Sequence, residues 1–118
     1  MAKHDPTLDA LFRALSDPTR RGMIQRLMTG PATVSELAAP LNMALPTVLQ
    51  HLGQLEKGGL VTTEKQGRTR ICRANLAAID TASDWLTRQR AIWEARLDRL
   101  EDYLATMETE NDDDQSRT

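Results

Sequence analysis

Gln50 and Gln54 stand four residues apart in the segment Leu45–Lys57, with Thr47 and Leu49 just ahead of them. If the segment is helical, the two amides share one face. Each amide offers a donor and an acceptor together. Such groups break no bonds, but they fit the edge of a nucleobase. Glutamine matches the donor–acceptor pair of adenine, threonine bonds several bases, and an apolar side chain such as Leu49 meets the thymine methyl. A basic set follows at once: His51, Lys57, Lys65, Arg68 and Arg70. Cations of this kind hold phosphates whatever the base. The first group suits base readout and the second suits a nucleic-acid backbone.

Other chemistry has little to stand on. The 118 residues contain no Ser/His/Asp or Cys/His grouping and no glycine-rich phosphate loop, so neither an enzyme nor a bound cofactor is expected. Soft-metal binding needs several converging thiolate or imidazole ligands. One cysteine, Cys72, and two histidines, His4 and His51, do not supply them. A single cysteine also rules out an internal disulfide framework and suits a reducing compartment. No secretory or membrane-spanning run is present, so a cytoplasmic location is expected.

The net charge of −2 conceals a division along the chain. Residues 1–75 carry ten Lys and Arg against six Asp and Glu, residues 76–107 four against six, and residues 108–118 one against five. Positive charge therefore collects with the glutamine segment, and an acidic end hides it in the total. The end, "ETENDDDQSRT", has no apolar residue and is expected to be a disordered tail over 108–118. Residues 1–107 are expected to form one domain.

The elements that must position these groups follow from spacing. Leu8, Leu11, Phe12 and Leu15 predict a first helix ending near Ser16. Asp17 and Pro18 open a second helix with an apolar face of Met23, Ile24, Leu27 and Met28, stopped by Gly30-Pro31. Thr33 and Glu36 form a capping box for a short third helix that Pro40 ends. Leu41–Met43 then make a turn into Leu45–Lys57, where Val48, Leu52, Leu55 and nearby Leu45 face inward. A short helix, a turn and a helix with a polar free face is the helix-turn-helix pattern. Beyond Gly58-Gly59, strands over Leu60–Lys65 and Arg68–Ala74 are predicted, joined by Gln66-Gly67. Their alternation puts Val61 and Ile71 toward the body. The fold class is thus mainly α with a small β-hairpin, a winged helix-turn-helix.

Residues from about Ile79 to Met107 predict one long helix. Ile79, Ala82, Leu86, Trp93, Leu97, Leu100, Leu104 and Met107 fall within roughly 40° of one line, with Trp85, Ile92 and Tyr103 beside it. Such a helix, roughly 40 Å long, exceeds what a winged domain of about 75 residues can cover. A second copy of the chain is the simpler cover.

At "LFRALSDPTRRGMIQRL", "TVSELAAPLNMALPTVLQHLGQLEKGGLV" and "EKQGRTRICRAN" the chain resembles the ArsR/SmtB family of winged-helix repressors, over roughly residues 8–104. The resemblance implies a homodimer joined through the first and last helices, which here means Leu8, Leu11, Trp93, Leu97, Leu100 and Leu104. It implies that Leu45–Lys57 is the recognition helix, that the partner is a double-stranded DNA operator, and that an inducer relieves repression. Two departures stand out. The family often has Ser where this chain has Leu49. Metal-sensing members read Glu-Leu-Cys-Val-Cys-Asp-Leu on the third helix, whereas this chain reads Glu36-Leu37-Ala38-Ala39-Pro40-Leu41-Asn42. The last helix, from Asp80 to Asp102, has carboxylates but no histidine. The resemblance is to a subgroup without the metal motifs.

On this reading Thr47, Gln50, Gln54 and Leu49 read bases, and His51, Lys57, Lys65, Arg68 and Arg70 hold the backbone. Cys72 is read as a small strand residue, with a redox role as the alternative. Arg20 and Arg21 are read as supporting the fold or touching phosphate. The rival class is a winged-helix protein-interaction module without DNA binding, since a fold does not fix a function.

Overall fold

A computed structural model describes the backbone of residues 5–116 and the side chains of residues 5–111. His4 lies outside these described residues. The element order is α1 (Pro6–Ala14), α2 (Pro18–Leu27), β1 (Ala32–Thr33), α3 (Val34–Ala38), α4 (Leu45–Lys57), β2 (Val61–Gln66), β3 (Thr69–Ala74) and α5 (Leu76–Ser116). The chain divides into two compact units, residues 1–82 and 83–118. That division falls inside α5, whereas the sequence reading puts the boundary after Met107.

Helix starts are set by local chemistry. Asp5 accepts from the backbone N–H groups of Thr7 and Leu8, with Pro6 at the first position of α1. Asp17 does the same for α2, accepting from Arg20 N–H at 3.0 Å beside Pro18. In the capping box of α3, Glu36 N–H donates to Thr33 Oγ1 at 3.0 Å and Thr33 N–H donates to Glu36 Oε1 at 3.2 Å. Each partnership satisfies amides that a helix start leaves without a carbonyl.

The two glycines after α4 have different tasks. Gly59 has φ +77°, and around it Leu60 N–H donates to Leu55 O and Gly59 N–H to Glu56 O, both at 3.0 Å. These bonds make a Schellman stop, closed by the apolar pair Leu55 and Leu60, both fully buried. Gly58 is needed for space: a Cβ there would meet Ala14 Cβ at 2.8 Å and Ala10 O at 2.9 Å. It lets α1 lie close against the end of α4.

The sheet has the order β1-β3-β2 and is antiparallel throughout. Its register corrects the sequence reading. Gln66 pairs with Thr69, so the two-residue turn is Gly67-Arg68, not Gln66-Gly67. Gly67 has φ +63° and Arg68 does not have positive φ, the pattern of a type II′ turn with glycine first. Cys72, paired with Ala32 and Thr63, is fully buried, while Ile71 is only half-buried. The core-facing set of β3 is therefore Cys72's, and the inward place given to Ile71 is corrected. The strand β1 was not expected. Thr33, held extended as the N-cap of α3, leaves its pair with Ala32 free to join β3.

The core of residues 1–82 gathers Leu11 and Ala14 of α1, Met23, Ile24 and Leu27 of α2, Leu37 of α3, and Val48, Leu52 and Leu55 of α4 over Leu60, Val61 and Cys72. Leu45, expected near the inward sector, is 53% exposed, because it stands in the first turn of α4, ahead of the buried Val48. Leu11, assigned to a dimer contact, is 1% exposed and belongs to this core. Residues 83–111 of α5 leave Leu86, Ile92, Trp93, Leu97, Leu100, Tyr103, Leu104 and Met107 exposed. The helix begins at Leu76, three residues ahead of the expected start. It also continues to Ser116, past the Met107 at which a disordered tail is expected to begin. Residues 76–118 contain neither Gly nor Pro, so no breaker ends it at Met107. Among the described residues no helix is long and apolar enough to cross a membrane.

Candidate nucleic-acid interface

Burial of Val48, Leu52 and Leu55, at 0%, 1% and 0% exposure, fixes which side of α4 faces out. Thr47, Gln50, Gln54 and Lys57 are exposed on the remainder, and Leu49 is 40% exposed at its margin. Thr47, Gln50 and Gln54 make no side-chain hydrogen bond with any described residue. Their donors and acceptors are thus free for a ligand, as base readout requires.

His51 is placed differently. Its side chain is 17% exposed, with Nδ1 3.3 Å from Arg20 Nη1 and 3.8 Å from Asp17 Oδ2. Arginine has only donors, so a bond at Nδ1 puts the imidazole proton on Nε2. Arg20 also donates from Nε to Ala14 O at 2.7 Å and from Nη2 to Arg13 O at 3.2 Å, while Arg21 donates to Leu15 O at 2.8 Å. The two arginines close the carboxyl end of α1, where cations are favoured. Asp17 is held below the usual carboxylate range, first by the Arg20 backbone N–H and further by the Arg20 charge and the Thr19 backbone N–H, against some desolvation. The Asp-Pro-Thr-Arg-Arg stretch thus seats α4 against α1 and α2.

The cations assigned to the backbone do not form one set. Arg68 stands at the wing turn, exposed and without a hydrogen bond or ion pair to any described residue. Lys65 is exposed on β2. Arg70 is committed within the fold: Nη2 lies 3.0 Å from Glu56 Oε1 and Nε donates to Thr63 Oγ1 at 3.1 Å. Its expected part in holding the backbone is thus set beside an ion pair with Glu56, with the Arg70 side chain still 47% exposed. Lys57 borders a recess of about 250 Å³ with Pro6, Thr7 and Ala10 of α1. It is not among the residues gathered beside the wing.

Residues that sequence patterns did not single out complete the wing side. Thr33, Val34, Ser35, Leu49, Arg68, Thr69 and Arg70 line an open recess of about 430 Å³. Ser35 and Thr69 bring hydroxyls to it. Their only signals in sequence are a place inside the capping box and a place next to the Gly67-Arg68 turn, neither of which announces a ligand. Glu56 was missed because its partner lies fourteen residues on, in another element.

Cys72 is fully buried, and burial pushes its thiol above the ordinary value more than the nearby Arg70 pulls it down. A buried thiol of this kind is a poor nucleophile. Among the described residues no group of three or more His, Cys, Asp and Glu side chains is placed to hold a metal ion.

Comparison with known proteins agrees with this geometry. A helix-turn-helix domain family matches residues 15–64, which run from the end of α1 into β2. The HTH-type transcriptional regulator Rv2034 of Mycobacterium tuberculosis is 39% identical over 79 residues, covering 64% of this chain and 74% of that protein. The transcriptional repressor SdpR of Bacillus subtilis is 25% identical, covering 67% of this chain and 88% of its own length. Among solved structures, the ArsR family transcriptional regulator RHA00566 is 46% identical, with a TM-score of 0.74 over 80% of this chain and 97% of that one. The chain therefore belongs to the ArsR family of DNA-binding transcriptional regulators.

Proposed function

We propose that the protein is a homodimeric repressor that binds a double-stranded operator and is released by an inducer other than a metal ion. The observation that carries this is the free, exposed row Thr47, Gln50 and Gln54 on a helix whose other side is pinned in the core. These residues read base edges in the major groove, with Leu49 against a thymine methyl. Arg68 and Lys65 hold the backbone from the wing. Repression is supported by the name of the Bacillus subtilis relative. Dimer formation is supported by the exposed apolar residues Trp93, Leu97, Leu100 and Leu104, whose cover by a second copy would remove them from water. Leu8, half-buried on α1, is proposed as a dimer contact of the first helix in its own right. Two recognition helices would then meet half-sites one helical turn apart. The work is binding rather than catalysis, and its place is the cytoplasm.

The test is binding to a duplex from upstream of the protein's own gene and to a random duplex of equal length, at several salt concentrations. The upstream duplex should bind more tightly, and log affinity should fall steeply with log salt. Equal affinity for both duplexes at every salt concentration would refute an operator-specific repressor.

A further inference from the structure

Glu56 in the last turn of α4, Thr63 on β2 and Arg70 on β3 form a closed triangle. Arg70 Nη2 donates to Glu56 Oε1 at 3.0 Å and reaches Oε2 at 3.4 Å. Arg70 Nε donates to Thr63 Oγ1 at 3.1 Å, and Thr63 Oγ1 donates to Glu56 Oε2 at 3.4 Å. One helix and both wing strands are thus tied at a single point. Beyond it the hairpin has no buried residue: 64 to 70 are all exposed. Arg70 also stands directly opposite Lys65 in the ladder. Like charges so placed repel, and the Glu56 carboxylate offsets that repulsion.

We infer that Glu56 and Arg70 are positioning residues that lock the wing tip at a fixed offset from the recognition helix. This rests on the proposed reading of α4 and the wing as the two DNA-contacting elements. A wing held before binding has less freedom to lose when it meets the backbone. It also sets the distance between the bases read by Gln50 and Gln54 and the phosphates met by Arg68. The pair is partly exposed, Arg70 at 47% and Glu56 at 32%, so it adds little to global stability. Its effect belongs in hairpin order and operator affinity.

Simple electrostatics predicts the opposite sign. Removing the Glu56 carboxylate near phosphates should tighten binding if charge alone matters. The lock predicts that Glu56→Gln and Arg70→Gln each weaken binding to the upstream duplex by about threefold to tenfold. The double variant should be no worse than either single one. The salt slope of Arg70→Gln should equal that of the unaltered protein, because Glu56 already neutralises Arg70. Exchanging the charges, Glu56→Arg with Arg70→Glu, should recover most of the affinity. A second measurement needs no DNA: amide hydrogen exchange at residues 64–70 should rise in Glu56→Gln, with the core amides unchanged. Equal or tighter binding by Glu56→Gln, or unchanged exchange at the tip, overturns the lock. So does a slope that falls by about one per chain in Arg70→Gln, the mark of a direct phosphate contact. If the unaltered protein shows no preference for the upstream duplex, the operator reading fails, and the exchange measurement still decides the lock.

Discussion

Arg20 Nη1 lies 3.3 Å from Nδ1 of His51, while the same guanidinium donates from Nε to Ala14 O at 2.7 Å. One side chain of α2 thereby joins the end of α1 to α4. Charge-assisted bonds of this type exceed neutral ones in strength. Arg20→Ala should cost about 2–3 kcal/mol of stability, because it also leaves the Ala14 carbonyl without its donor. Urea unfolding measures this. A smaller loss in His51→Ala, and a double variant short of the sum, would show that the two act together.

Gly58 makes a different kind of contact. A Cβ at this position would lie 2.9 Å from the Ala10 backbone oxygen, which cannot swing aside as a side-chain end can. Gly58→Ala should therefore push α1 from α4 at a cost of about 1–3 kcal/mol. The change should appear as a lower thermal midpoint. A midpoint equal to that of the unaltered protein would show that α1 shifts without penalty.

Acid sensitivity follows from two caps. Asp17 and Glu36 both accept backbone N–H bonds, from Arg20 and Thr33, and both are held below their ordinary values of 3.8 and 4.5. A depressed carboxylate contributes stability that is complete above its unfolded value and is lost as pH falls through the folded one. The loss should begin near the ordinary values and continue below them. Asp17→Asn keeps a capping oxygen but no longer titrates. Its urea midpoint, followed between about pH 3 and 7, should fall less steeply at the acid end than that of the unaltered chain.

Much of this architecture is legible in the residues, and the exceptions share one cause. The bounds Leu45–Lys57 are readable because Pro46 can start a helix and Gly58-Gly59 stop it, all within one stretch. The wing turn is less readable. Gln66-Gly67 and Gly67-Arg68 both contain the one glycine, and turns exist that place it second or first. The choice is made by register against β1 and by burial of Cys72, which are distant facts. Arg70 carries the same lesson for the site. Its residue type suggests phosphate, and only the fold reveals that Glu56 holds it. The family resemblance assigns Leu11 to a dimer contact, yet α1 turns it into the core.

The dimer proposal is exposed to a direct test at Leu97 and Leu100, 40% and 52% exposed in the single chain. Replacing both by Asp would place unpaired charge in a covered apolar contact, at a cost of several kcal/mol, about 2 or more for each. Because both residues are exposed in the single chain, the winged unit should still fold. Sedimentation velocity should then show monomer with preserved helical circular dichroism. A double variant that remains dimeric at the same concentrations would move the interface elsewhere.

Reading and holding can be separated at Gln50 and Arg68. Gln50 is exposed on α4 and free to pair with a base, whereas Arg68 stands at the wing turn with no partner among the described residues. A glutamine amide matched to adenine discriminates between sequences, so Gln50→Ala should lose about 1–3 kcal/mol on the operator and little on random DNA. It carries no charge, and the salt slope should stay as it was. Arg68→Ala should weaken both duplexes and reduce the slope by about one unit per chain if it neutralises one phosphate. Affinity at three or more salt concentrations, on both duplexes, distinguishes the two roles. Equal weakening of both duplexes by Gln50→Ala would remove α4 from base readout at that position. An Arg68→Ala variant with unaltered affinity and slope would mean that the wing turn leaves the backbone untouched.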